Sequence, residues 1–216
     1  MSVTIHTPVS AGLTASEIDA WRDVPASVTV DLEPGAQIDP AIRALTQSNR
    51  PLTLLGPAFT VACSPPDFGS VVLALDEAKT GDVVVIAAAG HLDHAVIGEI
   101  LGGHLRAKGC AGLVVDGVVR DIGALGHWQD FPVYARGVNP LGPTSANAGT
   151  IQAPVEIGGR LVEPGDLVIG DPDGLAVLTP AQARARLSDA QAKLALEREW
   201  IEGLATGKGA RAVFGL

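Results

Sequence analysis

Nine short runs of mostly apolar, often β-branched residues limit what this chain can fold into. Most runs are bounded by Gly, Pro or Asp, which is typical of strands that end in tight turns. Helical stretches alternate with these runs in the first half, whereas the part after Pro132 is mostly strands, so we expect one α/β domain with a β-rich second half. The predicted strands are residues 27–31, 52–55, 58–63, 82–87, 112–116, 133–135, 151–156, 167–171 and 174–178, and the predicted helices are residues 14–24, 39–48, 69–78, 98–108 and 180–203.

The composition favours a layered fold. Hydrophobic residues make up 47% of the 216 residues, but aromatic residues only 4%. A chain of this length buries a sizeable core, and here that core must be built from Val, Ile, Leu and Ala. Small side chains of this kind suit stacked sheets and helices better than a barrel filled with aromatic rings.

The formal net charge of −9 argues against a nucleic-acid partner, because binding to phosphates needs a positive surface. An acidic protein that handles an anionic ligand must instead create a local positive field. An arginine, a metal ion or a helix N-terminus can supply one.

Cys63 and Cys110 are far apart and have no CxxC partner. A disulfide is one interpretation, but two buried thiols in a reducing compartment are the favoured one. The N-terminus lacks a basic segment followed by an apolar stretch, and the longest apolar run, residues 83–89, is too short to span a bilayer. We therefore expect a cytoplasmic protein that does not associate with membranes.

The C-terminal helix has the clearest periodicity. Thr179 suits the N-cap and Pro180 the first helical position. A gap in the apolar stripe is filled by Glu197, and a carboxylate on an apolar seam is costly unless it is paired or faces a polar site. Glu197 either reaches solvent at the edge of the stripe or points into a site, for example one on a neighbouring subunit. The stripe itself consists of Leu187, Ala190, Leu194, Ile201 and Leu204.

The segment from Gly98 to Asp121 is the best candidate for chemistry. It contains a helix, a strand and then a loop with Arg120 and Asp121, and this order brings the helix N-terminus and the loop to one edge of a sheet. Free N–H groups near Ile100 and Leu101 would seat an anion. Arg120 can bind a carboxylate with two parallel hydrogen bonds, and Asp121 can supply one oxygen ligand to Mg²⁺ or Mn²⁺.

These residues also have structural interpretations. Arg120 and Asp121 together suit an exposed ion pair. Glu99 at the helix start suits either a residue that holds and polarises a water or one that only complements the helix dipole. Asp116 and Gly117 are interpreted as a turn.

The run GEILGGHLRAKGCAGLVVDGVVRD, residues 98–121, resembles the core of the family of 4-hydroxy-4-methyl-2-oxoglutarate aldolases and regulator-of-ribonuclease-activity-A-like proteins. That family's signature is an acidic residue, twenty further residues and then Arg-Asp, here Glu99 followed by Arg120-Asp121. The resemblance covers about residues 27–216. Other similar segments are residues 57–61, 81–85, 154–159, 164–166 and 171–174 and the terminal Phe-Gly-Leu.

The resemblance implies a single domain over residues 1–216 with an α-β-β-α layered, swivelling-domain-like fold. It implies trimers or hexamers whose sites lie between subunits, with helix 180–203 at the interface. It further implies that Asp121 binds Mg²⁺ or Mn²⁺ mostly through water and that Arg120 holds the pyruvyl oxygens. On the same resemblance, Gly98 and the N–H groups of Ile100 and Leu101 would bind the carboxylate, Glu99 would act through a water, and Glu197 of a neighbouring subunit would approach the metal, although Glu199 is close in sequence.

The implied activity is cleavage of a 4-hydroxy-2-oxo acid to pyruvate, with oxaloacetate decarboxylation. A cation and Arg120 would stabilise the charge that develops on the pyruvate enolate. Two alternatives stay open: a protein-binding module of the ribonuclease-regulator type, and another lyase, hydratase or isomerase that uses the same site.

The loop after the strand at residues 82–87 departs from the family, which has a small, Gly-rich loop there. Here it contains His91, Asp93 and His94. It is interpreted as a separate metal site, a contact to the distal end of the substrate, or an ordinary polar loop. His104 and His127 are expected to be structural or solvent-facing.

Overall fold

The computed structural model of the chain describes residues 2–8, 12–47 and 52–216. The strands are β1 Ser2–Ile5, β2 Arg43–Ala44, β3 Leu54–Ala62, β4 Val83–His91, β5 Gly112–Val119, β6 Val133–Val138, β7 Ala148–Ile151, β8 Val155–Ile157, β9 Arg160–Val162, β10 Leu167–Asp171 and β11 Gly174–Leu178. The helices are α1 Ala15–Asp19, α2 Ala26–Leu32, α3 Gly69–Glu77, α4 Glu99–Ala107, α5 Ile122–Leu125, α6 Pro180–Ala205 and α7 Ala210–Phe214, with a short 3-10 helix at Pro34–Ala36.

The main sheet has the strand order β1-β7-β3-β4-β5-β6-β2. Its centre, β3 to β6, is parallel, so the carboxyl ends of these four strands lie along one edge. The first half of β3 also pairs with β10, which forms an antiparallel hairpin with β11. The long strand β3 thereby links the main sheet to a second, smaller layer of strands.

Three hydrophobic cores separate four layers, and strand alternation shows how the residues divide between them. In β4, Val84 and Ile86 face the core under α3 and α4, whereas Val83 and Val85 face the core between the strand layers. In β10, Val168 joins this middle core, while its neighbours on the other face join the third core, under α2 and α6. The predicted α-β-β-α layering is therefore confirmed.

The strand predicted at residues 27–31 is wrong, because this segment lies in α2. Its β-branched residues favour a strand locally, but the tertiary structure overrides this preference. The Oδ2 atom of Asp171 accepts a hydrogen bond from the backbone N–H of Ala26 at the helix start, over 2.8 Å. Val28 is buried against β10 and β11 in the third core.

The helix predicted at residues 39–48 is also wrong for the described part, which ends at residue 47. The chain turns here and forms the two-residue strand β2, antiparallel to β6. Ile42 is fully buried, and the backbone N–H of Leu45 donates to the carbonyl of Val133 over 2.8 Å. Pairing to a distant strand has replaced the local helical bonds.

Two other strand boundaries differ from expectation. The runs at residues 52–55 and 58–63 form one continuous strand, β3. The run at residues 151–156 is divided into β7 and β8, since Gln152 adopts a left-handed backbone with φ 60°. The strands predicted at residues 167–171 and 174–178 are confirmed as β10 and β11.

Helix α6 begins as predicted. Thr179 caps it through a reciprocal pair of hydrogen bonds with Gln182, and Pro180 is its first residue. The apolar stripe packs onto the third core through its first half, including Ala190 and Leu194. Its second half is uncovered in a single chain, where Ile201 is 65% exposed.

Cys63 and Cys110 are both buried free thiols, as the sequence favoured. Burial raises the pKa of Cys63 to about 12 and that of Cys110 to about 11, so neither is a ready nucleophile. None of the described helices is both long and apolar enough to cross a membrane.

Candidate functional site

The candidate site lies where the carboxyl end of β5 meets the N-terminus of α4. The backbone N–H of Arg120, the first residue after β5, donates to the carbonyl of Ile97 over 3.1 Å, and that of Val96 donates to Val118 over 3.2 Å. These bonds tie the segment before α4 to the end of β5. The predicted juxtaposition of the helix start and the Arg120-Asp121 loop is therefore present in the fold.

A cavity of about 260 Å³ opens at this junction. One side is apolar and the other carries a cation and an anion, a combination that suits a small organic anion with an apolar part. Ile100, at its rim, is 79% exposed. The cavity is lined by Phe68, Val96, Ile97, Gly98, Ile100, Leu101, Arg120, Asp121 and Pro143.

The Asp121 carboxylate is fixed by the main chain. Its Oδ2 atom accepts a hydrogen bond from the backbone N–H of Glu99 over 3.0 Å. Asp121 itself has a left-handed backbone, with φ 60° and ψ 37°, which Asp tolerates better than most residues. Its carbonyl accepts hydrogen bonds from Ala124 and Leu125 and so starts α5.

At this junction, position 98 has no room for a side chain and therefore needs glycine. A Cβ atom on Gly98 would lie 2.8 Å from Cγ of Arg120 and closer still to Oδ2 of Asp121. Its φ of −151° is ordinary extended backbone, so the constraint comes from the neighbouring side chains alone.

Arg120 presents its guanidinium to the cavity. Its Nε atom lies 3.6 Å from Oδ2 of Asp121, and both side chains are about 40% exposed. That separation is too long for a hydrogen bond, and within the described residues the Arg120 guanidinium has no hydrogen-bond acceptor. Its N–H groups can therefore bind a carboxylate bidentately.

The N-terminus of α4 adds main-chain donors. The first hydrogen bond within this helix runs from Gly102 to the carbonyl of Gly98, over 2.9 Å. The N–H groups of Ile100 and Leu101 precede it, as do those of any helix start. Both residues line the cavity, and this places helix-terminal donors beside Arg120.

Asp121 is the residue of the cavity that could hold a metal. Among the described residues, no three His, Cys, Asp or Glu side chains form a metal-binding group. The site therefore does not suit Zn²⁺, which needs at least three protein ligands. It suits Mg²⁺ or Mn²⁺, which retains waters and binds through one or two carboxylates plus substrate oxygens. No hydrogen bond to Oδ1 of Asp121 occurs in the described part of the chain.

Glu197 and Glu199 are not among the residues that line this cavity. Both are on α6, which packs against α2, β11 and α7. Glu197 is half-buried and Glu199 is exposed. Within one chain Gly98, Ile100, Leu101, Arg120 and Asp121 line the cavity, whereas Glu99, which is exposed, and Glu197 are not among its lining residues.

The His91–His94 loop follows β4 at the same edge of the sheet. Nε2 of His91 and Nδ1 of His94 are 3.2 Å apart, so one ring donates to the other. The loop is also bonded to the segment that follows β6, because the Nδ2 atom of Asn139 donates to the carbonyl of Leu92 over 2.9 Å. Neither histidine lines the cavity of Arg120.

Asp67 organises the segment next to Phe68, and the sequence did not indicate this role. Its carboxylate accepts hydrogen bonds from the Ser145 hydroxyl and from the backbone N–H groups of Gly69, Asn147 and Ala148. These bonds, that of Ser145 most strongly, hold the pKa of Asp67 well below its usual range. The sequence signal that could have indicated this role is an Asp two residues before the start of a helix, where its carboxylate can accept from the backbone.

Asp116 is not in a turn, as the sequence suggested, but buried in β5 and 5% exposed. It forms an ion pair with Arg136 and accepts a hydrogen bond from the backbone N–H of Gly158 over 2.9 Å. Arg136 also pairs with Asp39, over 2.8 Å. The pair lines a second cavity, of about 560 Å³, which includes Glu156.

Comparisons with known proteins agree with this architecture. The RraA-like family model, described as Aldolase/RraA, matches residues 18–177. A Halalkalibacterium halodurans protein with the name "Putative 4-hydroxy-4-methyl-2-oxoglutarate aldolase" is 34% identical over 187 residues, which cover 85% of this chain and 87% of that protein.

Two solved structures are similar over most of the chain, each at 26% identity. One is an uncharacterised protein of Pseudomonas syringae pv. tomato, with a TM-score of 0.80, covering 96% of this chain and 99% of its own. The other is Streptomyces coelicolor RraAS2, described as an unusual member of the RNase ES inhibitor RraA family, with a TM-score of 0.73, covering 86% and 96%.

Proposed function

This chain belongs to the RraA-like family, and we propose that it is a divalent-metal-dependent lyase that cleaves a carbon–carbon bond in a small 2-oxo acid and releases pyruvate. The observation that carries the proposal is the meeting of Arg120, Asp121 and the N-terminus of α4 around one cavity. The substrates that fit are 4-hydroxy-2-oxo acids such as 4-hydroxy-4-methyl-2-oxoglutarate, and oxaloacetate for decarboxylation.

The positive elements account for binding of the pyruvyl unit. The Arg120 guanidinium binds the oxygens of the 2-oxo acid, and the N–H groups of Ile100 and Leu101 bind its carboxylate. The amides belong to α4 and the main chain of Arg120 follows directly from β5, so the amides and the base of the Arg120 side chain are fixed before substrate arrives. Fixed donors of this kind stabilise charge as it develops, with little reorganisation.

Asp121 would hold Mg²⁺ or Mn²⁺ in this proposal. When bound, the ion supplies Lewis-acid stabilisation of the negative charge on the oxygens of the pyruvyl unit. The backbone N–H of Glu99 donates only to Oδ2 of Asp121, so the Oδ1 atom is available as the metal ligand.

Glu99 is proposed to deliver the proton to the product carbon through a water. Its backbone N–H is engaged by Asp121, which fixes the position of the residue at the helix start next to the cavity, while its side chain is exposed. A carboxyl group that reaches the substrate through one water meets the geometric requirement for general acid catalysis.

Glu197 of a neighbouring subunit is proposed to complete the metal's surroundings in a trimer or hexamer. Its helix carries apolar residues that nothing covers in one chain, Leu196 at 43%, Ile201 at 65% and Leu204 at 42% exposure. Covering them is favourable, which supports the placement of α6 at a subunit interface.

The test is a coupled pyruvate assay over a panel of 4-hydroxy-2-oxo acids and oxaloacetate, with Mg²⁺, with Mn²⁺ and with chelator. We expect metal-dependent pyruvate release that is lost in Arg120→Ala and Asp121→Ala. Arg22→Ala is the matched control, because Arg22 forms only an exposed ion pair with Asp19. A cooperative thermal unfolding transition above the assay temperature in all three variants shows that the fold is kept.

The likeness to RraAS2 favours a second candidate, a protein-binding module of the ribonuclease-regulator type. It predicts co-purification with a ribonuclease and no turnover of any oxo acid in the panel. Unchanged ribonuclease binding by Arg120→Ala, together with no pyruvate release by the native chain, would decide for this alternative.

A further inference from the structure

The Arg120 side chain is confined between two glycines. Gly98 lies against its Cγ atom, and Gly142 lies against its guanidinium. A Cβ atom on Gly142 would be 3.2 Å from Cζ of Arg120, and its distance to Nη1 would fall below 3.0 Å, which real Cβ atoms essentially never show. Any larger residue at position 142 must therefore displace the guanidinium or the main chain.

The requirement at position 142 is for space and not for backbone freedom. Gly142 does not have a left-handed φ, unlike Gly149 or Gly158. An alanine there is compatible with the backbone conformation. The three heavy atoms nearest to its added Cβ atom, apart from those of the adjacent residues, all belong to the Arg120 guanidinium.

The main chain around Gly142 is anchored on both sides of the site. The backbone N–H of Asn139 donates to the carbonyl of Val119 over 3.0 Å, and the Oδ1 atom of Asn139 accepts from Leu141 over 2.9 Å. The carbonyl of Leu141 in turn accepts from Ala95 over 2.8 Å. This segment is tied to the end of β5 and to the start of the loop before α4, so the flexible side chain yields before the backbone does.

We infer that Gly142 is a positioning residue that sets the direction of the Arg120 guanidinium and thereby its affinity for a carboxylate. The inference rests on the proposed function, because it assigns the guanidinium to the pyruvyl oxygens. Gly142 lies against the Arg120 guanidinium, and the next residue, Pro143, lines the cavity. It acts on the substrate only through Arg120.

The test compares Gly142→Ala with the control Gly123→Ala. Gly123 lies two residues after Asp121, and an added Cβ atom there meets nothing within 4 Å. The probe is oxalate, a planar mimic of the pyruvate enolate, titrated calorimetrically with Mn²⁺ present. Crystal structures of both variants report the guanidinium position without any ligand.

We expect Gly142→Ala to displace the guanidinium by about 1 Å or more and to weaken oxalate binding about 10- to 100-fold, the effect of losing a charged hydrogen bond. Affinity for Mn²⁺ alone and the unfolding temperature stay at the native value, because Asp121 and the cores are untouched. Gly123→Ala behaves as the native chain.

A second pair of variants separates action through Arg120 from a general structural effect. In an Arg120→Ala background, Gly142→Ala adds no further loss of oxalate binding, because the methyl group then meets no guanidinium. An equal loss of oxalate affinity in both backgrounds, or an unmoved guanidinium in Gly142→Ala, overturns the inference about Gly142. The proposed function still stands in that case if the native chain releases pyruvate. The opposite case is a displaced guanidinium in Gly142→Ala together with a native chain that neither binds oxalate nor releases pyruvate. This result overturns the proposed function and, with it, the role of Gly142 in anion binding.

Discussion

The backbone N–H of Glu99 donates to the Oδ2 atom of Asp121 over 3.0 Å, and this bond joins the start of α4 to the start of α5. The acidic residue and the Arg-Asp pair, with twenty residues between them in sequence, are thus held together by the main chain of one and the carboxylate of the other. Among the residues that the structure describes, the side chain of Glu99 has no hydrogen-bond or ion-pair partner. Several expectations depend on this junction.

Gly98→Ala should disable the site without unfolding the protein. The new methyl group would collide with Oδ2 of Asp121 and with Cγ of Arg120, and displacement of reacting groups by about 1 Å costs about 100-fold in rate. We expect that loss in kcat/KM for pyruvate release. Gly103→Ala, in the same helix and with only Trp128 near the added atom at 3.9 Å, is the control, and native activity in Gly98→Ala would contradict the prediction.

Asp121→Asn should separate metal binding from folding. Asn tolerates the left-handed backbone of this position, and its side-chain oxygen still accepts the Glu99 N–H, but the negative charge is lost. Mn²⁺ affinity, measured by electron paramagnetic resonance, is expected to fall at least about 100-fold, while the urea midpoint is unchanged. Asp121→Ala should lower both, since it also removes the acceptor. Equal Mn²⁺ affinity in native protein and Asp121→Asn would rule out this carboxylate as the ligand.

Asp67→Asn should show a pH-dependent loss of stability. Four hydrogen bonds to the carboxylate depress the pKa of Asp67 below the unfolded value of about 3.9. A depressed pKa contributes stability above the unfolded pKa, and this is lost as pH falls through the folded one. The gap in unfolding temperature between native protein and variant should be constant from about pH 7 to 5 and shrink below about pH 4. A gap that does not shrink in acid would show that the charge of Asp67 is irrelevant.

Arg136→Leu should be strongly destabilising. It leaves Asp116, 5% exposed, with only the Gly158 amide as partner, and an unpaired buried charge costs about 3 kcal/mol or more. Urea unfolding measures this loss. Arg22→Ala, which breaks an exposed pair, should cost less than about 1 kcal/mol. The double variant Asp116→Ala and Arg136→Leu is expected to lose less than the sum of the single changes, because the two groups interact; strict additivity would disprove the pairing.

Local signals predicted those parts of the fold that local chemistry specifies. Helix α6 begins at its Thr179 cap and Pro180, and β10 and β11 have the predicted bounds. Each depends on capping groups, turns or alternation within a few residues. The Glu99 to Arg120 spacing likewise predicted the junction, because a helix followed by a parallel strand returns the chain to the same edge of the sheet.

Long-range contacts decided the parts that the sequence did not reveal. Residues 27–31 are helical because the distant Asp171 caps them and the third core buries Val28. Asp116 looked like a turn residue, yet its partner Arg136 is twenty positions away, on the neighbouring strand β6. The segment with Gly142 and Pro143, beside the cavity, has no helical or strand periodicity, so no local sequence signal predicts that it lies at the site.

The charged groups of the cavity are held by amides, strand ends and glycines, and not by the apolar side chains that face them. Ile100, which is 79% exposed, can therefore be exchanged for smaller or larger residues with Arg120 and Asp121 left in register, whereas Phe68 and Leu101 also pack against the core under α3 and α4. In the proposed function, a scaffold of this kind would separate recognition of the three-carbon unit from accommodation of the rest of the substrate. If the proposed function holds, libraries randomised at position 100 offer a direct route to variants that accept bulkier substrates.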